Sequence, residues 1–366
     1  HMAHLPPLFV GQADLPVGVQ SVDLGKLDQL PDGYHPLSLS FQAGETRVER
    51  KIAFALLSHQ KSRRLAGDLA ARKREALCHA AAHGEDRAGK LIAMMATDCP
   101  FDTTAQTILD DTLAGINDRR DCSDFVMVPL LWLLSEGREW LPKEACQAAF
   151  AAVLNYRYWM DEPGNDAMWF WSENHVLCFH VSEYLAGGLY PDELFPNSGL
   201  PGSEHRALAE ARLNRWFDSV EAHGLAEWNS AAYYPIDFIG LLALEHLGQG
   251  AIRGRAAGML DRLFEMIALH TTGGVSAGSM GRAYDKELRA GPLTELAPFA
   301  SVAFGCGWLN NGVAALPMFC AGGYSPPKHL ELLAEPEIGR RIEARYVQGY
   351  GDHGQLALAK TAHVQL

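Results

Sequence analysis

The chain predicts an all-α fold in which paired, antiparallel helices close into a ring or stack as a solenoid. Three observations in the 366 residues carry this. Apolar residues recur at helical spacing from about residue 46 onward. Strand signals between those stretches are nearly absent. Helix-ending glycines stand at Gly187-Gly188, Gly224, Gly248 and Gly273-Gly274. No fixed sequence period accompanies the helices, which argues against a tetratricopeptide-type array.

The elements follow in order. His1-Met2 is the scar of a cleaved expression tag, and residues 3–45, rich in Pro and Gly and alternating in HPLSLSFQAGE, read as an extended arm with room for a short strand. The N-terminal arm and tag remnant therefore occupy 1–45. Helices are predicted near 46–58, 61–83, 103–116, 123–136, 143–156, 172–187, 204–222, 235–247, 251–270, 296–315 and 328–346, so that one helical domain fills 46–350. Two long loops interrupt it, PDELFPNSGLPGSEH (191–205) and TTGGVSAGSMGRAYDKELRAGPLTE (271–295). Irregular loops of this length in a compact helical domain tend to carry function. Residues 351–366 contain the alternating run GQLALAKTAHVQL, a strand pattern expected to open a β segment that continues in a longer native protein.

Composition narrows the function. A hydrophobic fraction of 48% is that of a globular chain, and no apolar stretch reaches the length of a membrane span. The net charge of -13 argues against general nucleic-acid binding and leans toward neutral over acidic polymers, unless basic residues gather locally. The seven cysteines are scattered without a CxxC pair, which excludes a disulfide scaffold. An export signal would have left with the tag, so the compartment stays open, periplasmic or secreted being slightly favoured. Oligomeric state is equally open.

Three polar clusters carry chemistry. In WSENH, Ser172 is a candidate N-cap that places Glu173, Asn174 and His175 in a first helical turn, where free backbone N–H groups favour an anion. In EWNSAAYYPIDF, Pro235 suits the first position of another helix, with Tyr233 and Tyr234 just outside its mouth. In GRAYDKE, Arg282 can pair with a carboxylate, and Tyr284 follows it. Each cluster alone has a plain structural reading: a capped dipole, aromatic packing, a surface ion pair. Together they suit β-elimination on a uronic-acid polymer. Asn174 and Arg282 neutralise the carboxylate and the enolate-like charge, His175 assists, and Tyr233 serves as acid, base or both. No metal, nucleophile or cofactor is required. Glu173, Glu227, Trp171, Trp228, Tyr234 and Tyr284 are the candidate substrate contacts, and Trp159 and Trp169 add sugar-stacking surface.

The same residues carry a resemblance. Asn174-His175, followed by Gly224, Glu227 and a Ser230-x-x-Tyr233 pattern with Tyr233 58 residues after His175, resembles the toroidal polysaccharide lyases, the alginate-lyase and heparinase-like group. The resemblance implies an (α/α) toroid followed by a β segment, with Tyr233 as acid/base, His175 as base or charge stabiliser and Asn174 as carboxylate neutraliser. It spans about 170–290. Two departures stand out: Tyr234 occupies the position where the group usually has His, and one residue is inserted between Glu227 and Ser230. The phrases WSENH, EWNS and GRAY are also similar to a set of uncharacterised bacterial proteins.

Two rivals use the same residues. A glycoside hydrolase on the same ring would pair Glu173 with Glu227, Asp237 or Asp285 substituting. A non-catalytic carbohydrate-binding domain would offer the aromatics without placed acid and base groups. GVSAG (274–278) matches the nucleophile-elbow pattern but follows a helical segment instead of a strand. GQGAIRG lacks the dinucleotide spacing. His175, Cys178 and His180 suggest a metal, yet an i, i+5 step does not share a helix face, so none is expected. Asp121 and Asp124 read as an N-cap pair before a core helix.

Overall fold

The computed structural model describes residues 7–14, 16, 18, 21, 23, 26, 30–59, 65–166, 168–352 and 354–366. The predicted tag remnant and residues 61–64 of the helix predicted over 61–83 lie outside them. Two compact units divide at Ser58 and His59.

In the first unit, β1 (Gly33–Ala43) pairs antiparallel with β2 (Thr46–Leu56). The helix predicted over 46–58 is therefore a strand. Thr46, Val48 and Ile52 are β-branched residues at even spacing. Gly44, at φ +58°, supplies the left-handed first position that a tight II′ hairpin turn needs. Helical spacing in TRVERKIAFAL was outweighed by this local pairing.

The second unit is helix-rich. Its described residues form α1 (Leu69–His83), α2 (Ala88–Ala96), α3 (Thr103–Asn117), α4 (Ser123–Glu136), α5 (Lys143–Asn155), α6 (Glu173–Leu189), α7 (Gly202–His223), α8 (Tyr234–Leu247), α9 (Gly250–His270), α10 (Asp285–Arg289), α11 (Ala297–Phe304), α12 (Leu316–Ala321) and α13 (Leu330–Ala334). Three further two-stranded sheets interrupt them: β3 (Leu194–Phe195) with β4 (Leu200–Pro201), β5 (Thr271–Thr272) with β6 (Val275–Ser276), and β7 (Ile342–Gln348) with β8 (Gly354–Lys360). The expectation of an all-α chain is corrected accordingly. The helix predicted over 296–315 stops at Phe304, where Gly305 adopts a left-handed C-cap. The one predicted over 328–346 stops at Ala334, ahead of Pro336, and its remainder becomes β7, the partner of the terminal strand. Helix α1 begins at Leu69, capped by Asp68, and α2 and α12 were not anticipated.

Burial separates the helices into two kinds. Ten of fourteen residues are buried in α4, thirteen of seventeen in α6 and ten of fourteen in α8, against seven of twenty-two in α7. A helix apolar on every side belongs inside and one with a single apolar stripe outside. Packing agrees. Helix α4 touches α2, α6 and α8; α6 touches α8; and α12 touches both α8 and α2. Helices α3, α5, α7 and α9 lie against α4, α4, α6 and α8 in turn. The core fills this arrangement with Trp132, Phe179, Phe238, Phe264, Phe299 and Phe319, each at most 1% exposed. No helix among the described residues is long and apolar enough to cross a membrane.

The hairpin β7–β8 braces the segment that precedes α8. Gln348 Oε1 accepts from Leu225 N at 3.0 Å, and the Tyr346 hydroxyl accepts from Asn229 Nδ2 at 3.2 Å. Asn229 itself sits at φ 53°, a left-handed conformation that Asn tolerates better than most residues.

Candidate functional site

The mouths of α4, α6 and α8 and the loop 281–287 supply the polar groups. Ser172 caps α6, its Oγ accepting from His175 N. The first turn then turns its side chains in different directions. The Glu173 carboxylate accepts from Ala226 N at 2.8 Å and Glu227 N at 2.7 Å, which fastens the segment before α8 to the mouth of α6. Asn174 Nδ2 donates to Glu227 Oε2 at 2.6 Å, while Asn174 Oδ1 accepts from Ser172 Oγ. His175 points to α4: its Nδ1 lies 3.0 Å from Asp124 Oδ2, and its ring stacks on Phe125 at 4.3 Å. The imidazole is only 4% exposed.

The loop joins from outside. Gly281 N donates to Trp228 O, and a Cβ on Gly281 would stand 2.2 Å from Ala226 O, so only glycine permits this approach. Ser230 Oγ then donates to Arg282 O at 2.7 Å. So anchored, Arg282 Nη1 donates to Glu227 Oε1 at 3.1 Å, and the guanidinium lies 4.9 Å from the Tyr233 ring centroid and 5.4 Å from that of Tyr284. The Tyr233 and Tyr284 hydroxyls are 2.6 Å apart. A continuous chain therefore runs from Asn174 through Glu227 and Arg282 to the two phenols. Tyr233 is half-buried, and Arg282 and Tyr284 are exposed.

Electrostatics grade these groups. Burial pushes the Tyr233 phenol well above its ordinary range, and the Tyr284 hydroxyl adds to the push while Arg282 opposes it, so Tyr233 holds its proton at neutral pH. Burial likewise raises Glu227, opposed by hydrogen bonds from Arg282 and Asn174. It raises Glu173, opposed by the two backbone N–H donors. The Asp124 carboxyl is pushed up to about 6 by burial, with His175 pulling it down.

Beside this chain lies a cleft of about 620 Å³. Trp159, Trp171, Trp216 and Tyr350 give it aromatic walls, Arg212 and Arg215 positive charge, and Glu173 and Glu227 its border with the helix mouths. Trp171 is 65% exposed and packs against Trp169.

Several predicted residues fall elsewhere. Tyr234 is buried in the core at 1% exposure, so it cannot meet a substrate; being the first residue of α8, it turns inward with the helix. Trp228 packs its ring toward Gly354, Gly349 and Gly281, and its Nε1 is buried, so it serves the hairpin brace and not a sugar. His175 and Asn174 are too enclosed to touch a ligand directly. Asp237 is 1% exposed, and neither of its oxygens has a hydrogen-bond partner among the described residues; burial and the nearby Glu173 and Glu227 push it far up, leaving it protonated. Asp285 pairs with Arg289 in α10. Asp124 is no N-cap: Cys122 holds that position at φ 66°, and Asp124 is the partner of His175. That partnership joins residues 51 apart, so no local pattern signals it. Arg212, Arg215, Trp216 and Tyr350 were also missed; the i, i+4 step from Arg212 to Trp216 was the available signal.

Among the described residues, two groups of side chains offer metal-ligating atoms within 4.8 Å of one another: Asp121, Cys122 and His175, and Glu162, Glu183 and His205. Neither joins His175 to Cys178 or His180. In the first group Asp121 and Cys122 are exposed, and only His175 is buried.

Compared with protein-family models, with curated proteins and with solved structures, the chain matches none of them.

Proposed function

We propose that the chain is an (α/α) toroid that cleaves a uronate-containing oligo- or polysaccharide by β-elimination, using its own side chains. The toroid reading is supported by the closed circuit of contacts α2–α4–α6–α8–α12–α2, with α3, α5, α7 and α9 outside it. The single observation that carries the chemistry is the Asn174–Glu227–Arg282 chain delivering a guanidinium over two hydrogen-bonded phenols; of this chain Glu227 lines the cleft with aromatic and cationic walls.

The roles follow from exposure. Arg282 meets the sugar carboxylate and takes up the charge that develops there. Asn174 and Glu227 position Arg282, and Asp124 and His175 support them from inside. The Tyr233–Tyr284 pair moves the protons. Once the pair under Arg282 has lost one proton to solvent, which alkaline pH favours, it takes the proton from the carbon next to the carboxylate. The carbon–oxygen bond to the leaving sugar then breaks as a C=C bond forms, and the pair returns its proton to the departing oxygen. The pair ends as it began, and the step as written needs no metal.

A second reading has its own support: Glu173 and Glu227 both border the cleft, as a hydrolase pair would. Against it, both Glu173 oxygens are occupied by backbone N–H groups. A panel of acidic and neutral glycans decides between the two, with unsaturated ends and reducing ends followed in parallel. Elimination expects ultraviolet-absorbing ends in step with reducing ends, and loss of both in Tyr233→Phe. Reducing ends alone would replace it with hydrolysis, and saturable binding without products would favour a carbohydrate-binding domain.

A further inference from the structure

Helix α6 carries a second polar cluster one to two turns beyond the first, and nothing in the elimination reading uses it. Glu183 is 1% exposed, His205 1% and Glu162 8%. Glu162 comes from the segment after α5, Glu183 from the middle of α6 and His205 from the first turn of α7, and their ligating atoms lie within 4.8 Å of one another. Glu183 Oε1 and His205 Nδ1 stand 3.0 Å apart, close to the roughly 3.3 Å edge of a tetrahedral zinc shell.

Each of these side chains is held from behind by another group. Arg212 Nη1 donates to Glu183 Oε2 at 3.0 Å, Asn197 Nδ2 to Glu162 Oε2 at 2.6 Å, and Ser198 Oγ lies 2.6 Å from His205 Nε2. Outer contacts of this kind are what orient ligands around a metal and fix the histidine tautomer. A further imidazole lies beside the cluster, on the other oxygen of Glu183. His180 precedes Glu183 by one turn, is 3% exposed, and directs Nδ1 to 3.9 Å from Glu183 Oε2. That nitrogen has no hydrogen-bond partner among the described residues. Charge points the same way. Glu183 pairs with the Arg212 guanidinium, which it shares with the exposed Asp161, and Glu162 accepts from two neutral donors, Asn197 Nδ2 and Tyr158 N. Burying uncompensated negative charge is costly, and a dication offsets it.

The geometry points to a buried binding site for a divalent transition-metal ion at Glu162, Glu183 and His205. Two carboxylates and an imidazole suit Zn²⁺ or Mn²⁺. The enclosure of these ligands gives the site a structural role. Its place explains its use: Arg212, His180 and Trp159 line the cleft, so an ion here would stiffen that wall and tie β3–β4, which flank Asn197 and Ser198, to α6 and α7. The inference is independent of the elimination reading, since none of the three ligands touches the reacting groups.

The test uses the full chain, stripped with a chelator and titrated separately with Zn²⁺ and Mn²⁺ by calorimetry, with elemental analysis of the reloaded protein and thermal unfolding at each metal concentration. We expect one equivalent bound and an unfolding midpoint that climbs with metal concentration by mass action. Glu162→Gln and His205→Asn should each weaken binding by at least about tenfold while the helical circular dichroism of the stripped protein persists. Cys122→Ser should leave binding unchanged. Absence of stoichiometric uptake of both ions overturns the site and leaves a hydrogen-bonded cluster in its place. Uptake that survives Glu162→Gln and His205→Asn but disappears in Cys122→Ser also overturns it, in favour of the exposed group at the mouth of α4.

Discussion

Helix α6 presents two polar clusters that meet opposite fates. In the first turn, Glu173 and Asn174 reach out to the segment before α8 and His175 to α4, and through Glu227 and Arg282 their influence arrives at one half-buried and one exposed phenol. In the middle of the helix, His180 and Glu183 turn toward α7 and Glu162 and close on themselves. The residue types are nearly the same. What differs is position: a helix mouth has free N–H groups and adjacent loops, whereas mid-helix side chains meet only packed neighbours. On the proposed reading, reactivity toward a large substrate belongs to the first situation and architectural support to the second.

The sharpest way to break this comparison is Tyr233→Phe. It removes one hydroxyl from a half-buried ring and should lower turnover by about 10³-fold, as loss of a positioned acid–base group does, with the unfolding midpoint nearly unchanged. Wild-type turnover would sever the helix-mouth cluster from catalysis. Next in size is Glu227→Gln, which loosens Arg282 without removing it. Under elimination we expect a drop of about 10²-fold, partly in KM, and under hydrolysis an inactive enzyme, so steady-state kinetics on the variant sharpen the assignment.

Gly281→Ala probes the anchor of the loop. The added methyl meets the carbonyl of Ala226, and we expect about 1–3 kcal/mol of lost stability in denaturant titration together with reduced turnover through a displaced Arg282. Unaltered kinetics would show that the loop tolerates movement. Trp171→Ala should do least, raising KM severalfold with kcat preserved.

Acidity separates the clusters again. His180 is pushed down to about 3 and His270 to about 4 by burial, so both stay neutral in the fold while the unfolded chain takes up protons below about 6.5. Their folded pKa values lie below the unfolded one, so stability rises with pH between roughly 3 and 6.5. Asp124, raised to about 6, works in the opposite sense between its ordinary 3.8 and 6. Denaturant midpoints across pH 3–7 should therefore climb less steeply in His180→Asn and more steeply in Asp124→Asn. The reaction itself should quicken toward alkaline pH, because the Tyr233 phenol resists ionisation.

Much of the helical frame was legible. The stretch predicted as 123–136 is α4 residue for residue, and α6 to α9 differ from expectation by one or two residues at most ends. Their caps and glycine stops are local signals, which one sequence carries in full. Ser172, Glu227, Arg282 and Tyr233 were picked out by residue type, and the structure brings them together. What could not be read were pairings set by distance: Asp124 with His175, Arg282 held through Ser230, and β1 with β2, where strand partnership overrode a helical spacing. Inward-facing Tyr234 shows the same limit, since adjacent tyrosines look alike until the helix fixes which one turns to the core.

The strap formed by β7 and β8 makes the site dependent on residues that do no chemistry. Tyr346 and Gln348 grip the short stretch 225–229, from which Glu227 reaches toward Arg282. A chain cut back to residue 341 would retain every group assigned to the reaction and yet lose the clasp that keeps its central carboxylate in place. Such a truncation should be more easily unfolded near α8 and, on the proposed reading, weaker in substrate capture. Remote C-terminal changes would then mimic active-site damage.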